Sequence, residues 1–143
     1  MHSEELTNFC NQLLEEGRKK LNLTMGIVSH ISGGNYKIFA VSSEAEVFVA
    51  GEIYPLEATY CRDVYKSKKT IALTEIEGCK GLKHHPLYDS MALESYISSP
   101  ILVKGEVWGT INFSCMDIRE NPFTADEIAF TEDSAKQIAE ATS

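Results

Sequence analysis

Tyr96-Ile97-Ser98-Ser99-Pro100-Ile101-Leu102-Val103-Lys104-Gly105-Glu106-Val107-Trp108-Gly109-Thr110-Ile111-Asn112-Phe113-Ser114 contains two apolar, β-branched runs with three polar or small residues between them. The composition predicts two long strands, Tyr96 to Val103 and Val107 to Ser114. Lys104-Gly105-Glu106 is too short for anything but a hairpin, so the pair is antiparallel. Strict alternation places Trp108, Thr110, Asn112 and Ser114 on one face of the second strand, and Gly109, Ile111 and Phe113 on the other. On the first strand Ile97, Ser99 and Ile101 share a face in the same way.

Working outward, a second hairpin is legible near the N-terminus. Met25 to Ile31 is an apolar run, Ser32-Gly33-Gly34-Asn35 supplies a turn, and Tyr36 to Val41 returns. A shorter strand is expected over Glu46 to Ala50. Gly51 to Leu56 reads as a loop, since Pro55 disfavours helix at Tyr54. Ala58, Cys61, Val64 and Tyr65 share one face of a short helix ending near Ser67. Thr70 to Leu73 makes a brief strand, and a loop with Gly78 and Gly81 leads to His84-His85-Pro86-Leu87-Tyr88. Pro86 there suits the first turn of another short helix.

Helices flank the strands. Ser3 to Leu21 carries Leu6, Phe9, Leu13, Leu14 and Leu21 near helical spacing, with Ser3 as cap and Glu4 and Glu5 at the positive end of the dipole. The last helix opens on a capping box, Thr124 with Glu127, and a staple pair, Phe123 with Ile128. Ile128, Thr131, Ala135, Ile138 and Ala139 continue as one stripe. Hairpins at both ends favour a mainly antiparallel sheet with helices packed on it over a doubly wound parallel sheet. A crossing connection through the middle helices stays open.

The 143 residues suit one domain spanning 1–143. Acidic residues outnumber basic ones, 21 to 13, for a formal charge of −8. That balance argues against nucleic acid, whose binding draws on clustered Lys and Arg. The two basic knots, Arg18-Lys19-Lys20 and Lys66 to Lys69, fall at expected helix ends, where cations suit the dipole. No apolar run approaches the ~20 residues of a membrane span, and the first residues lack signal-peptide character. Cys10, Cys61, Cys79 and Cys115 show no CxxC spacing and read as reduced thiols of a cytoplasmic protein.

Groups suited to ligand recognition crowd the centre of the chain: Tyr54, Tyr60, Cys61, Arg62, His84, His85 and Tyr88. Loops and short helices laid on a sheet make a lid over a small pocket. The candidate ligand-binding set is therefore Tyr54, Cys61, His85 and Tyr88 from the lid side with Ser99, Asn112 and Ser114 from the sheet. Each has a plainer reading. Asn112 and Ser114 would equally suit a wet sheet face, Cys61 a small buried helix position, and His85 a backbone contact that organises its loop. There is no GxSxG, phosphate loop, HExxH or calcium loop. His84 and His85 are adjacent, so they make poor partners on one metal. No catalytic constellation stands out, and a non-enzymatic role is expected.

Several stretches in order carry a resemblance. They are Gly26-Ile27-Val28-Ser29 after a leading helix, Thr59-Tyr60-Cys61-Arg62, His85-Pro86-Leu87-Tyr88, Leu93-Glu94-Ser95-Tyr96-Ile97, and Pro100 through Ser114. Arg119 and Asn121-Pro122-Phe123-Thr124 follow before the last helix. Over nearly its whole length the chain resembles a GAF domain. The resemblance implies an α+β, profilin-like fold: a central antiparallel sheet of five to six strands, a helical lid on one face, and the N- and C-terminal helices on the other. It further implies a small-molecule-sensing or dimerising module of bacterial signal transduction, as in sensor histidine kinases and diguanylate cyclases. Such a module forms a homodimer through its terminal helices and passes its state to a fused or associated kinase or cyclase; the ligand is left unidentified. Two alternatives come with the family. A phytochrome-like bilin site would want a Cys before the lid His, where this chain has His84-His85. A free methionine-R-sulfoxide reductase would use two thiols, here Cys61 and Cys79, but that family's acidic run before the long strand is replaced by Met91-Ala92-Leu93-Glu94-Ser95.

Overall fold

The computed structural model describes residues 3–43, 49–56, 61–73, 94–115 and 121–142. Helix α1 covers Ser3–Leu21, followed by strands β1 (Met25–Ser32), β2 (Asn35–Ser43) and β3 (Ile53–Pro55). Helix α2 (Arg62–Ser67) leads to β4 (Ile71–Leu73), then to the long pair β5 (Ser95–Val103) and β6 (Glu106–Cys115), and the chain ends on helix α3 (Ala125–Thr142). The six strands form one sheet in the order β3-β2-β1-β6-β5-β4, and every neighbouring pair is antiparallel. This is the α+β architecture expected from the hairpins. The open connection is a crossover: the chain leaves β3 on one edge, passes through α2, and re-enters at β4 on the other.

Two segments differ from the sequence reading. Ile53–Pro55, expected as loop, is an edge strand paired with Asn35 to Lys37. Pro55 is tolerated because an edge position needs no N–H on its outer side. The strand expected over Glu46 to Ala50 lies mostly outside the described residues; its last two, Val49 and Ala50, lie in a turn in which Glu52 N–H donates to the Val49 carbonyl. Tyr65, expected on the buried face of α2, is 39% exposed, while Cys61 and Val64 on that face are buried.

Local chemistry explains the rest. At α3 the capping box forms as read: Thr124 N–H donates to Glu127 Oε1 at 2.8 Å, and Glu127 N–H donates to Thr124 Oγ1 at 3.1 Å. The β5–β6 turn has Lys104 at φ 54° and Gly105 at φ 81°, the positive values that two-residue hairpins require. Pro100 occupies β5 just past the last β4 pairing, Ile71 with Ser98, where no partner strand calls for its missing N–H.

The sheet separates two cores. On one face α1 and α3 pack over Val28, Ala40, Ile97, Ile101, Ile111 and Phe113. On the other, Met25, Ile27, Ile31, Ile38 and Leu56 gather with Tyr36, Cys61 and Tyr96. The second is the lid face, with α2 lying over β5 and β6. Two irregularities tune which residue faces which core. Phe39 is the extra residue where the β1–β2 register shifts, and Trp108 is the extra residue where the β5–β6 register shifts. Both side chains pack on the helix-face core. The Trp108 ring stacks on His30 at 4.5 Å and meets Phe39 edge-on at 5.6 Å. Burial, and then Lys37, lower the His30 pKa from its ordinary value. Trp108 therefore stands opposite to Thr110 and Asn112, not beside them as unbroken alternation predicts.

Candidate functional site

Cys61 immediately precedes the first turn of α2 and is 2% exposed. Its sulfur hangs over the middle of the sheet among polar side chains from four strands. Thr110 Oγ1 and Asn112 Nδ2, both from β6, each donate to it at 3.3 Å. The Tyr96 hydroxyl lies 3.2 Å away and Ser98 Oγ 3.9 Å away, both from β5. Asn112 Nδ2 also donates to the Tyr36 hydroxyl on β2 at 3.3 Å. Ser29 on β1 closes the group: its Oγ accepts from the Thr110 N–H at 3.1 Å and lies 2.7 Å from Thr110 Oγ1.

The proton inventory is consistent. A threonine hydroxyl has one hydrogen, and here it is aimed at sulfur. Thr110 Oγ1 can then accept the Ser29 hydroxyl proton. Tyr36 and Tyr96 are both pushed well above the ordinary tyrosine range, first by burial and then by proximity to the Cys61 sulfur. Both phenols stay protonated and keep a hydrogen to donate. Buried polar networks of this kind fix side-chain positions when satisfied and are costly when broken. The arrangement offers a dense array of hydroxyl, amide and sulfur groups beneath the lid, able to read the hydrogen-bonding edge of a small molecule.

Of the expected ligand-binding residues, Cys61 and Asn112 are in contact. Ser114 lies on the same face, in register with Tyr96; it is fully buried, and its Oγ has no partner among the described residues. Tyr54 sits at the far edge on β3, packed against the lid-face core, with its hydroxyl donating to Glu52 Oε2 at 2.9 Å. Ser99 is not with them. It faces the helix side, where its Oγ is 2.8 Å from Thr70 Oγ1. His85 and Tyr88, with Cys79 of the reductase alternative, lie outside the described residues.

The displacement of Ser99 has a physical cause. Carried unbroken from the Val103–Glu106 pair, the hairpin register would set Ser99 opposite Thr110 and Ile97 opposite Asn112. The extra residue at Trp108 slips the pairing by one, so Ser98 faces Asn112 and Pro100 faces Thr110. A one-residue slip exchanges the two faces of a strand. The residues that join the cluster unforeseen are Tyr36, Tyr96, Ser98 and Ser29. A bulge is weakly marked in sequence; Trp-Gly at 108–109 is the one local sign, a bulky residue beside one that permits close backbone approach. A Cβ on Gly109 would lie 1.7 Å from the Ser29 carbonyl oxygen.

Among the described residues no group of His, Cys, Asp and Glu is placed to hold a metal, and no helix is long and apolar enough to cross a membrane.

The family model of the GAF domain matches residues 5–141. No curated protein matches the chain. Among solved structures, the GAF domain of a phosphoenolpyruvate-protein phosphotransferase from Coxiella burnetii superposes with a TM-score of 0.78 at 17% identity, covering 94% of this chain and 80% of that one. A type II free methionine-R-sulfoxide reductase from Thermoplasma acidophilum gives 0.77 at 14% identity, covering 96% and 92%. The phycocyanobilin-bound GAF domain of a cyanobacterial phytochrome gives 0.77 at 17%, covering 96% and 84%. At these identities the likeness is one of fold.

Proposed function

We propose, for a chain that belongs to the GAF domain family, the role of a small-molecule-sensing regulatory module that relays occupancy of its lid face to its terminal helices. The observation that carries this reading is the cluster beneath α2, where Cys61, Asn112, Thr110, Tyr36 and Tyr96 share hydrogen bonds in a fully enclosed setting. Fold neighbours that are sensory or regulatory domains, including the phycocyanobilin-bound one, accord with it.

Strand β6 supplies a route between the faces. Asn112 points to the lid, and its neighbour Phe113 points to the helices. The Phe113 ring fills the space above Gly17 of α1 and Gly26 of β1, where a Cβ would come within 2.2 and 3.0 Å of it. Interiors packed this closely transmit small shifts instead of absorbing them. Ligand that repositions Asn112 would move Phe113 against α1, and so bias the α1–α3 pair between two arrangements. In a homodimer built on those helices, the bias would pass to a fused or associated output domain such as a kinase or cyclase.

Native mass spectrometry of gently purified protein tests the reading. The expected result is a mass excess released on denaturation and missing from Asn112→Ala, with circular dichroism unchanged between the two. A retained molecule that Asn112→Ala holds as tightly as wild type would remove the cluster from the site.

A second reading rests on Cys61 at the centre of the cluster. One fold neighbour is a free methionine-R-sulfoxide reductase, and that chemistry has a thiol attack the sulfoxide sulfur, releasing water as a disulfide forms with a second thiol. Cys79 would be the second thiol. Reduction of free methionine-R-sulfoxide by dithiothreitol, lost in both Cys61→Ser and Cys79→Ser, would establish this reading over the sensory one.

A further inference from the structure

On the helix side of the sheet, between α3 and the β4–β5 edge, runs an open trough of about 960 Å³. On the helix side its floor is apolar, formed by Ala72 of β4, Val103 of β5, and Ile128 and Ala139 of α3, while Pro100 and Leu102, which alternation turns to the other face of β5, complete the lining at the strand's open edge. Leu102 is 41% exposed, one of the few large apolar side chains left open. Its rim is basic: Lys68 and Lys69 after α2, Lys104 in the hairpin turn, and Lys136 on α3. Four of the chain's 13 Lys and Arg residues thus gather along one trough of a protein whose net charge is −8. Glu132 and Glu140 are the acidic members of the lining, and Glu132 is engaged by Thr70, whose hydroxyl donates to it at 2.7 Å. Lys68 Nζ donates to the Gly105 carbonyl at 3.2 Å, which ties the α2–β4 corner to the β5–β6 turn and brings three of the lysines to one end.

The helix layer leaves this trough open. Helices α1 and α3 cover β2, β1, β6 and β5, and no described element lies over the outer side of the β4–β5 edge. A further helix beside α3 at the usual 8–10 Å would complete the layer. We infer that the trough docks an acidic amphipathic helix of a partner protein. An apolar stripe at helical spacing would lie on Val103, Ala72 and Ile128 and meet Leu102 at the strand edge, with flanking carboxylates reaching Lys68, Lys69 and Lys104. Charge selects this occupant. A second copy presenting the same trough would set lysines against lysines, which charge complementarity disfavours. A small amphiphile would leave an open trough partly wet along its length. The inference stands apart from the lid-face reading, since no residue of the Cys61 cluster lines the trough.

The test uses the full chain and a fluorescein-labelled synthetic helix of about 18 residues, long enough to hold helical structure, with leucines at i, i+4, i+7 and i+11 flanked by glutamates. A second peptide carries lysine in place of glutamate. Anisotropy titrations are expected to show the glutamate peptide binding wild type and weakening about tenfold or more in Leu102→Glu and in the Lys69→Glu/Lys104→Glu pair. The lysine peptide should bind that charge-reversed pair better than wild type. Circular dichroism of both variants checks that they fold. Equal affinity across wild type and variants overturns the inference. So does a wild-type dimer in sedimentation velocity that Leu102→Glu dissociates, which would make the trough a self-interface. Decanoate binding that Leu102→Glu abolishes, with no peptide binding, would assign it to a small amphiphile instead.

Discussion

The Phe113 ring is fully buried and is flanked by two residues that have no side chain, Gly17 and Gly26. A methyl group at Gly17 would sit 2.2 Å from the ring's Cζ, and a ring enclosed on both sides cannot swing away. Gly17→Ala should therefore cost about 1–3 kcal/mol through overpacking, and Phe113→Leu in the same chain should recover part of that loss. Urea unfolding of the two single variants and the double decides it; strictly additive losses would show that the ring and Gly17 do not compete for space. On the other face of β6 the contrast lies between Asn112 and Ser114. Asn112→Ala removes a donor from both the Cys61 sulfur and the Tyr36 hydroxyl, at about 1–3 kcal/mol for leaving buried groups short of a partner. Ser114→Ala removes a hydroxyl that has no partner among the described residues, so its melting temperature should stay level or rise. A larger loss at Ser114 than at Asn112 would contradict this order. Sequence alone put Asn112, Ser114 and Cys61 in one candidate set, and the structure sets them on the lid side, with Asn112 bonded to the Cys61 sulfur. Ser99, grouped with them, instead shares the helix side with Ile97 and Ile101, because face parity beyond Trp108 depends on a bulge that no strong residue preference announces.

Elements were legible where their chemistry is local. Helix α1 covers the Ser3–Leu21 span read from its leucine spacing, with Glu4 and Glu5 in its first turn and Arg18, Lys19 and Lys20 in its last, since dipole and stripe act within the helix itself. The start of α3 is equally local, and it yields a test. Thr124 and Glu127 exchange backbone-to-side-chain bonds, so Thr124→Ala should destabilise by about 1 kcal/mol. Thr124→Ser, which keeps the accepting oxygen, should lie close to wild type in the same chemical denaturation series. Equal losses in both would mean that the Thr124 methyl packing, and not the cap, holds the turn. Strand β3 was hidden for the opposite reason. Its three residues form a strand only because β2 presents an edge to them, and Pro55 within them argues locally for a loop. Short edge strands are imposed by tertiary context, not by propensity.

At the scale of the whole molecule, the sheet is strong in the middle and thin at both margins. The β1–β6 and β5–β6 pairs run over six and nine residue positions, whereas β3 and β4 each pair over three. The part of the lid that carries α2 enters from β3 and leaves through β4, so it is anchored on the two weakest strands. Such an arrangement lets the lid open without disturbing the central strands that carry Asn112 and Phe113. Protein segments with few pairings exchange by local opening, while core strands exchange only with global unfolding. Amides of Tyr54, Ile71 and Leu73 should accordingly exchange with little dependence on added urea, while those of Val28, Ile97 and Ile111 should follow the global unfolding free energy. A uniform urea dependence across both sets would mean that lid and core open as one unit. In that case a ligand could not be admitted by moving the lid alone, and the relay from Asn112 through Phe113 to α1 would have to begin with rearrangement of the sheet itself.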